Sequence, residues 1–414
     1  MSGKEKKMRE VELLIPANNL EVLKVAVTFG ADAVYIGGEV FSLRAGAKNF
    51  SLDDMREGIA FAHERGVKVY VTANILAHNG DLEEVRKYFT ELKDVKPDAL
   101  IISDPAIFTI AKEILPDMEL HVSTQANNTN YGTFNFWYGL GAKRVVTARE
   151  LSLEEIKTIR NNIPDDMEIE TFIHGAMCIS YSGRCLLSNF MASRDANRGA
   201  CTHPCRWKYS VVEESRPGEY MPVYENERGT YIFNSKDLCM IEHIPELIDA
   251  GIDSFKVEGR MKTALYVATV ARTYRMAIDD YKKSPEYYRE RLPFYREEIS
   301  KCTYRKYTTG FFFGKPDKDT QIYDSNTYEK NYTYLGLIKG YEDGMGYCIE
   351  QKNKFSVGEE IEIMKPSGEN QVVTVKRILD EYGNEMDSAP HPKQKLYIDL
   401  GTPLDEFDIL RRAE

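Results

Sequence analysis

Residues 11 to about 284 repeat one pattern, in which short β-branched runs alternate with stretches whose apolar positions recur at i, i+3, i+4 and i+7. The runs are ELLIPA (12–17), AVYIGG (33–38), KVYVTAN (68–74), ALIISD (99–104), ELHVSTQ (119–125), KRVVTARE (143–150), EIETFIHG (168–175) and DSFKVEGR (253–260). Between them lie helical stretches with recognisable ends. LEVLKVAVTFG stops at Gly30, SLDDMREGIAFAHERG opens on Ser51 with Asp54 three residues on, and SLEEIKTIRNNIP opens on Ser152 with Glu155 at the same offset. A small hydroxyl residue followed by a carboxylate at that spacing is a helix N-terminus, because each side chain satisfies a backbone N–H near the start. Eight strand–helix alternations with near-continuous apolar strands predict an α/β fold, a TIM-like (β/α)8 barrel. A doubly wound sheet would place a Gly-rich phosphate loop after the first strand, where this chain has IPANNLE.

The spacing breaks once, between Gly175 and Asp253, and four of the seven cysteines fall in the first part of that gap. A cysteine-rich insertion (176–208) therefore leaves the C-terminal end of strand seven, on the face where barrels of this type carry their active sites. Helix seven is expected to begin near SKDLCMIEHIPELIDAG, capped by Ser235. After further helical sequence, the composition changes near residue 305. From about 331 short alternating strands follow: TYLGLIKGY, GMGYCIEQ, EEIEIMKPSG, NQVVTVKRI, KLYIDLG and FDILRR, with PSGEN and YGNEMDSAPHP as turns. The expected domains are a barrel over 1–304, a connector over 305–330 and a small all-β barrel over 331–414.

Cys178, Cys185, Cys201 and Cys205 lie within 28 residues, spaced C-x6-C-x15-C-x3-C, while Cys239, Cys302 and Cys348 stand alone. Buried, small apolar residues account for the three singletons. They do not account for the cluster, whose surroundings are rich in Gly, Ser, Asn and Arg and show no core periodicity. Disulfides suit secreted chains, and MSGKEKKMREVELL has no apolar signal region. Four clustered thiols predict a metal centre, and the wide spacing favours iron–sulfur over zinc, the alternative metal. No apolar run approaches the ~20 residues of a membrane helix, so the chain is expected to be cytoplasmic and without a membrane partner. The net charge of −11 argues against wholesale attraction to nucleic acid. Between Arg184 and Lys208, however, five basic residues face one acidic residue, Asp195. These cations either balance the thiolates or bind an anionic ligand.

Side chains at the C-terminal ends of barrel strands are the candidates for chemistry. They are Arg44, Asn74, Gln125 with His121 one turn deeper, Arg149, His174, Lys256, Glu258 and Arg260. His121, Gln125, His174 and Glu258 are the candidate catalytic residues. His174, four residues before Cys178, is also a candidate donor behind the metal. Arg44, Arg149, Lys256 and Arg260 suit a small di- or tricarboxylate, because guanidinium forks match carboxylates. Asn74 joins them as a substrate contact. Asp104 heads strand four but equally starts a helix as its cap. No H-E-x-x-H, G-x-S-x-G or aspartic pair is present. Cys178 after His174 is the nearest approach to a cysteine-protease pair.

ETFIHGAMCISYSGRCLLS (170–188) resembles the signature of the peptidase family U-thirty-two, with Glu170, Phe172, Gly175, Cys178, Gly183, Cys185 and Ser188 in their places. GACTHPCRW (199–207) resembles that family's second cysteine pair, and ELLIPANNLEVLKVAVTFGADAVYIGG resembles its opening. The family carries a collagenase label and includes RNA hydroxylation proteins. Chain length and the single β tail look most like the branch that makes 5-hydroxyuridine at the tRNA wobble position. The resemblance implies a 4Fe–4S cluster on Cys178, Cys185, Cys201 and Cys205, and prephenate, a dicarboxylate, as co-substrate. It implies tRNA, through its anticodon loop, as partner. On that reading Arg194, Arg198 and Arg206 grip phosphates, Tyr181 and Trp207 stack on an unpaired base, and Arg149 and Arg260 hold the small carboxylate. A peptidase of the collagenase type is the alternative. A non-catalytic, cluster-bearing RNA-binding protein is the third reading.

Overall fold

The computed structural model describes residues 9–42, 49–178, 180–207, 210–211, 221–222, 234–314, 321–322 and 329–414. Eight parallel strands form the barrel: β1 (Glu12–Pro16), β2 (Ala33–Gly37), β3 (Lys68–Ala73), β4 (Ala99–Ile102), β5 (Glu119–Val122), β6 (Arg144–Val146), β7 (Glu168–Gly175) and β8 (Ser254–Val257). Each pairs with the next, and β8 pairs with both β7 and β1, which closes the ring. β2 and β4 are buried along their whole lengths, as strands must be when helices cover one face and barrel side chains fill the other.

The helices begin where local chemistry predicts. Asn19 caps α1 (Leu20–Thr28) by accepting from Val22 N at 2.9 Å. Ser51 and Asp54 form a reciprocal capping box on α2 (Leu52–His63), and Ser152 and Glu155 form one on α6 (Leu153–Arg160). α3 (Leu82–Val95), α4 (Pro105–Ile114) and α5 (Tyr131–Gly139) complete the run between them. Asp104 accepts from Ala106 and Ile107 N at the start of α4, so its role is that of a cap. Past α1, Gly30 adopts φ +103°, a left-handed conformation that frees the chain to turn into β2.

Helix seven departs from expectation. It is shorter and later, α7 (Ile244–Asp249), and its N-cap residue His243 makes no side-chain capping bond. The residues expected to open it, Asp237–Cys239, instead form a short strand antiparallel to the end of β7, and Tyr307–Thr308 pairs with that strand in turn. Buried pairing decides the difference. The Asp237 carboxylate takes the Arg305 guanidinium at 2.9 Å, Leu238 is buried, and helix formation would release both from the sheet. The stretch after 304 thus begins inside the barrel's own sheet.

α8 (Ala264–Lys283), capped by Thr263, packs on the barrel and carries the C-terminal sheet. That sheet has eight antiparallel strands centred on Tyr332–Glu342, which pairs with Ile409–Ala413 and Gly346–Gln351. Its outermost strands, Gln371–Thr374 and Glu385–Met386, do not pair with each other among the described residues, so the all-β unit is a half-barrel and not a closed one. It has its own core of Leu335, Ile338, Ile349 and Ile363, among others, while Tyr334, Leu337, Met364 and Ile409 join the barrel's core. Between the two, buried Arg411 contacts Glu298 at 2.6 Å and Glu362 at 2.6 Å.

Candidate active site

Several barrel strands open on charged residues, among them Glu12, Glu119, Arg144 and Glu168, and the ring brings these together. Arg144, at the start of β6, donates to Glu12 Oε1 at 2.5 Å, to Glu168 Oε2 at 2.8 Å and to Glu170 Oε2 at 3.2 Å. Tyr70 and Ser254 also donate to Glu12, at 2.6 and 2.9 Å. One layer higher, Lys256 donates to Glu170 Oε1 at 2.6 Å, with Glu170 fully buried. Burial alone would raise the Glu170 carboxyl, but Lys256 and Arg144 hold it below the usual range. Burial likewise opposes Glu12, and Arg144 and Tyr70 bring it down to about 2. The barrel is therefore plugged at its N-terminal end by an ionised, hydrogen-bonded layer.

Above that plug lies a cavity of about 500 Å³, open at the C-terminal ends of the strands. Lys256 reaches its floor, 4.5 Å from the Tyr35 ring centroid and 5.6 Å from that of Phe172. Arg149 stacks over Phe172 at 4.0 Å and reaches Glu258 Oε2 at 3.5 Å. Arg260 donates to Thr72 Oγ1 at 3.1 Å. A Cβ at Gly37 would displace the Arg260 guanidinium and the Ser42 hydroxyl, both of which sit against the bare glycine. Asn74 Nδ2 donates to Ser123 Oγ at 3.2 Å, and Gln125 sits in the short turn Thr124–Ala126. Gln125 Oε1, Arg149 Nε and Ser180 Oγ are buried with no hydrogen-bond partner among the described residues. Such groups cost about 1–3 kcal/mol each when left unmet, so the cavity suits a polar ligand.

The insertion forms the outer wall. Cys178, Cys185, Cys201 and Cys205 all face the cavity, Cys178 exposed and the others half-buried. Arg149 Nη1 lies 3.2 Å from Ala176 O and 3.8 Å from Cys178 Sγ, and the His203 N–H donates to Cys201 Sγ at 3.4 Å. Gly183 lets the insertion lie against the loop after β5, since a Cβ there would come within 2.8 Å of Gln125 Oε1. No disulfide joins the described cysteines. Among the described residues no three of Cys, His, Asp or Glu are gathered as a single-ion site. Among the isolated cysteines, burial pushes the Cys239 and Cys302 thiols up to about 12. Four soft thiols on one cavity, beside an arginine that balances thiolate charge, are a donor set suited to an iron–sulfur cluster.

The cavity thus gathers Asn74, Gln125, Arg149, Lys256, Glu258, Arg260 and the four cysteines. Other expected site residues lie elsewhere. His121 is fully buried in the charged plug, its Nε2 2.7 Å from Glu119 Oε1 and its ring against Tyr70. It is the third residue of β5 and is too deep to meet a ligand. His174 is turned out of the barrel. Strict alternation along β7 would carry Glu170, Phe172 and His174 to the inside, but the β7–β8 register slips between Phe172 and His174. This bulge re-aims the side chain into a cage of Tyr266, Tyr274 and Tyr307. Burial there lowers its pKa to about 3. What His174 contributes to the site is its carbonyl, which accepts from Glu258 N at 2.8 Å.

Arg198 is committed as well. Its guanidinium grips Asp81 at 2.8 and 2.9 Å and donates to Leu76 O, which straps the insertion to the loop after β3 and holds Asp81 at about 2. Arg194 is exposed, and Arg44 and the Arg206 side chain lie outside the described residues. Tyr35, Thr72 and Ser123 line the cavity without having been singled out by sequence. Their signal was the period-two alternation within strands already identified.

The chain matches the family model described as Peptidase family U32 over residues 18–322, and that of the Peptidase family U32 C-terminal domain over residues 330–411. It is 41% identical over 418 residues to tRNA hydroxylation protein P1 of Bacillus subtilis (strain 168), spanning 100% of this chain and 97% of that protein. To tRNA hydroxylation protein P of Escherichia coli (strain K12) it is 39% identical over 446 residues, spanning 98% and 97%. It is 43% identical over 312 residues to a Methanocaldococcus jannaschii protein named as an uncharacterized protease, spanning 75% and 74%. With its barrel, its cysteine-bearing insertion and its β tail all inside these matches, this chain belongs to peptidase family U32.

Proposed function

We propose that this protein is a tRNA hydroxylase that converts the wobble uridine to 5-hydroxyuridine, with prephenate as co-substrate and an iron–sulfur cluster held by Cys178, Cys185, Cys201 and Cys205. The observation that carries this reading is one cavity lined by those four thiols together with Arg149, Lys256 and Arg260, in a chain similar along its whole length to named tRNA hydroxylation proteins. When bound, the cluster supplies one-electron chemistry next to the substrate. Arg149 and Arg260 bind the carboxylates of the small acid. Lys256, already paired with Glu170, fixes charge at the floor. Asn74 and Gln125 offer amide groups to the edge of an extruded base, and Glu258 accepts hydrogen bonds opposite Arg149. An anticodon-loop uridine is already largely unpaired, so drawing it into the barrel costs less than flipping a base from a duplex.

A cysteine peptidase would need a histidine beside a reactive thiol. The nearest sequence match, His174 with Cys178, is undone by the bulge that buries His174 among tyrosines. The test is genetic. In a host that makes 5-hydroxyuridine-derived nucleosides and has no second copy of the gene, deletion is expected to remove them from digested tRNA, as read by mass spectrometry. An unchanged nucleoside profile would defeat the reading.

A further inference from the structure

The insertion carries an apolar face that plays no part in the core. Its helix, Leu187–Ala192, is fixed from inside by Ser188, which is buried and accepts from Thr202 N at 3.0 Å. The opposite side is bare: Leu186 is 69% exposed and Phe190 is 85% exposed. Phe190 N donates to Leu186 O at 2.9 Å, which places the two one turn apart on the same face. Scattered exposed apolar residues are ordinary. Here, however, the pair belongs to the insertion whose cysteines line the active-site cavity, and along the chain it is flanked by two exposed arginines, Arg184 and Arg194.

Resting on the RNA reading above, we propose that the Leu186–Phe190 face is a stacking platform for unpaired bases flanking the target nucleotide, with Arg184 and Arg194 on the adjoining phosphates. Aromatic surface interleaved with cations is how proteins hold single-stranded nucleic acid without reading its sequence, since every base has a π-face and every linkage a charge. The charge pattern also selects the occupant. The chain as a whole carries a net charge of −11, whereas this segment is locally basic. A second copy packed on this face about a two-fold axis would set the same arginines against each other, whereas RNA meets them with phosphates. The platform thus positions the anticodon loop so that only the target nucleotide leaves the stack.

Phe190→Ser tests this in the full-length protein with its metal, using an unmodified tRNA transcript as probe and fluorescence anisotropy across a KCl series. The affinity is expected to fall about tenfold, the loss of one base stack, with the salt dependence unchanged, and Phe190→Trp is expected to restore it. Arg184→Gln is expected to flatten the salt dependence instead, as loss of one phosphate contact does. Wild-type affinity in Phe190→Ser overturns the platform while leaving tRNA hydroxylation standing. A wild-type protein that binds no RNA overturns the hydroxylase reading itself. If Phe190→Ser keeps its affinity but lowers the mass of the particle in sedimentation, the face belongs to a second copy and the proposal fails.

Discussion

Replacing Cys178 or Cys205 with alanine is expected to strip the metal from the protein and abolish hydroxylation, whereas Cys302→Ala leaves both intact. The contrast follows from where the thiols stand. Cys178 and Cys205 face the cavity from the insertion, which has little apolar packing of its own among the described residues, and in the proposed reading a cluster would tie its two cysteine pairs together. Cys302 is fully buried, donates to Ile299 O, and is held protonated by its surroundings, so it behaves as a small apolar residue. Anaerobically purified wild type should be brown and carry about four irons per chain, the content of one cubane on four thiolates. Each of the two cluster variants should be colourless and nearly iron-free. Stoichiometric zinc with no visible absorbance in the wild type would replace the cluster with a structural ion.

The second large effect is expected at the barrel floor. Glu170→Ala should lower the unfolding free energy by about 3–5 kcal/mol, the usual cost of removing one partner from a buried ion pair. Glu170 stands between Arg144 and Lys256, and its removal leaves Lys256 buried without its carboxylate. Acid should act on the same layer. Glu12 is held at about 2 against an ordinary 4.5, and Glu170 is also held low. A depressed carboxyl contributes stability that is present above its unfolded pKa and is lost as pH falls through the folded one. Wild-type stability should therefore decline from about pH 4.5 toward 2, and Glu170→Gln should show a shallower decline from a lower starting point. Urea unfolding across that range measures both. Equal slopes in the two proteins would show that the layer is not ionised.

Much of this was legible before the fold was known, and the exceptions have physical causes. All eight barrel strands, and the helices that open at Ser51, Asp104 and Ser152, follow from patterns of period two and 3.6 with Ser or Asp at the starts, because local chemistry and burial agree there. The cysteines declared themselves by crowding, and Arg149, Lys256 and Arg260 by their places at strand ends. Each failure needed information from across the molecule. A register slip against β8 turns His174 outward. Asp237 trades a helix for Arg305 and a strand partner. Asp81, distant in sequence, pairs with Arg198 and ties the insertion to the barrel. The charged plug was visible only as isolated charges at strand starts, since nothing in one strand tells which charges the closed ring will bring together.

We place RNA hydroxylation at the barrel mouth, beside its cysteine wall. The most direct test of that placement is the 5-hydroxyuridine content of tRNA in the deletion strain after the gene is returned, measured by nucleoside mass spectrometry for wild type and for Arg149→Met at matched protein level and iron content. Arg149 links the two halves of the site, touching Cys178, Glu258 and Phe172. Wild type is expected to restore the nucleoside fully and Arg149→Met to less than about 1%, the scale of loss when a group that positions a reacting substrate is removed. Wild-type levels of 5-hydroxyuridine with Arg149→Met would contradict that placement.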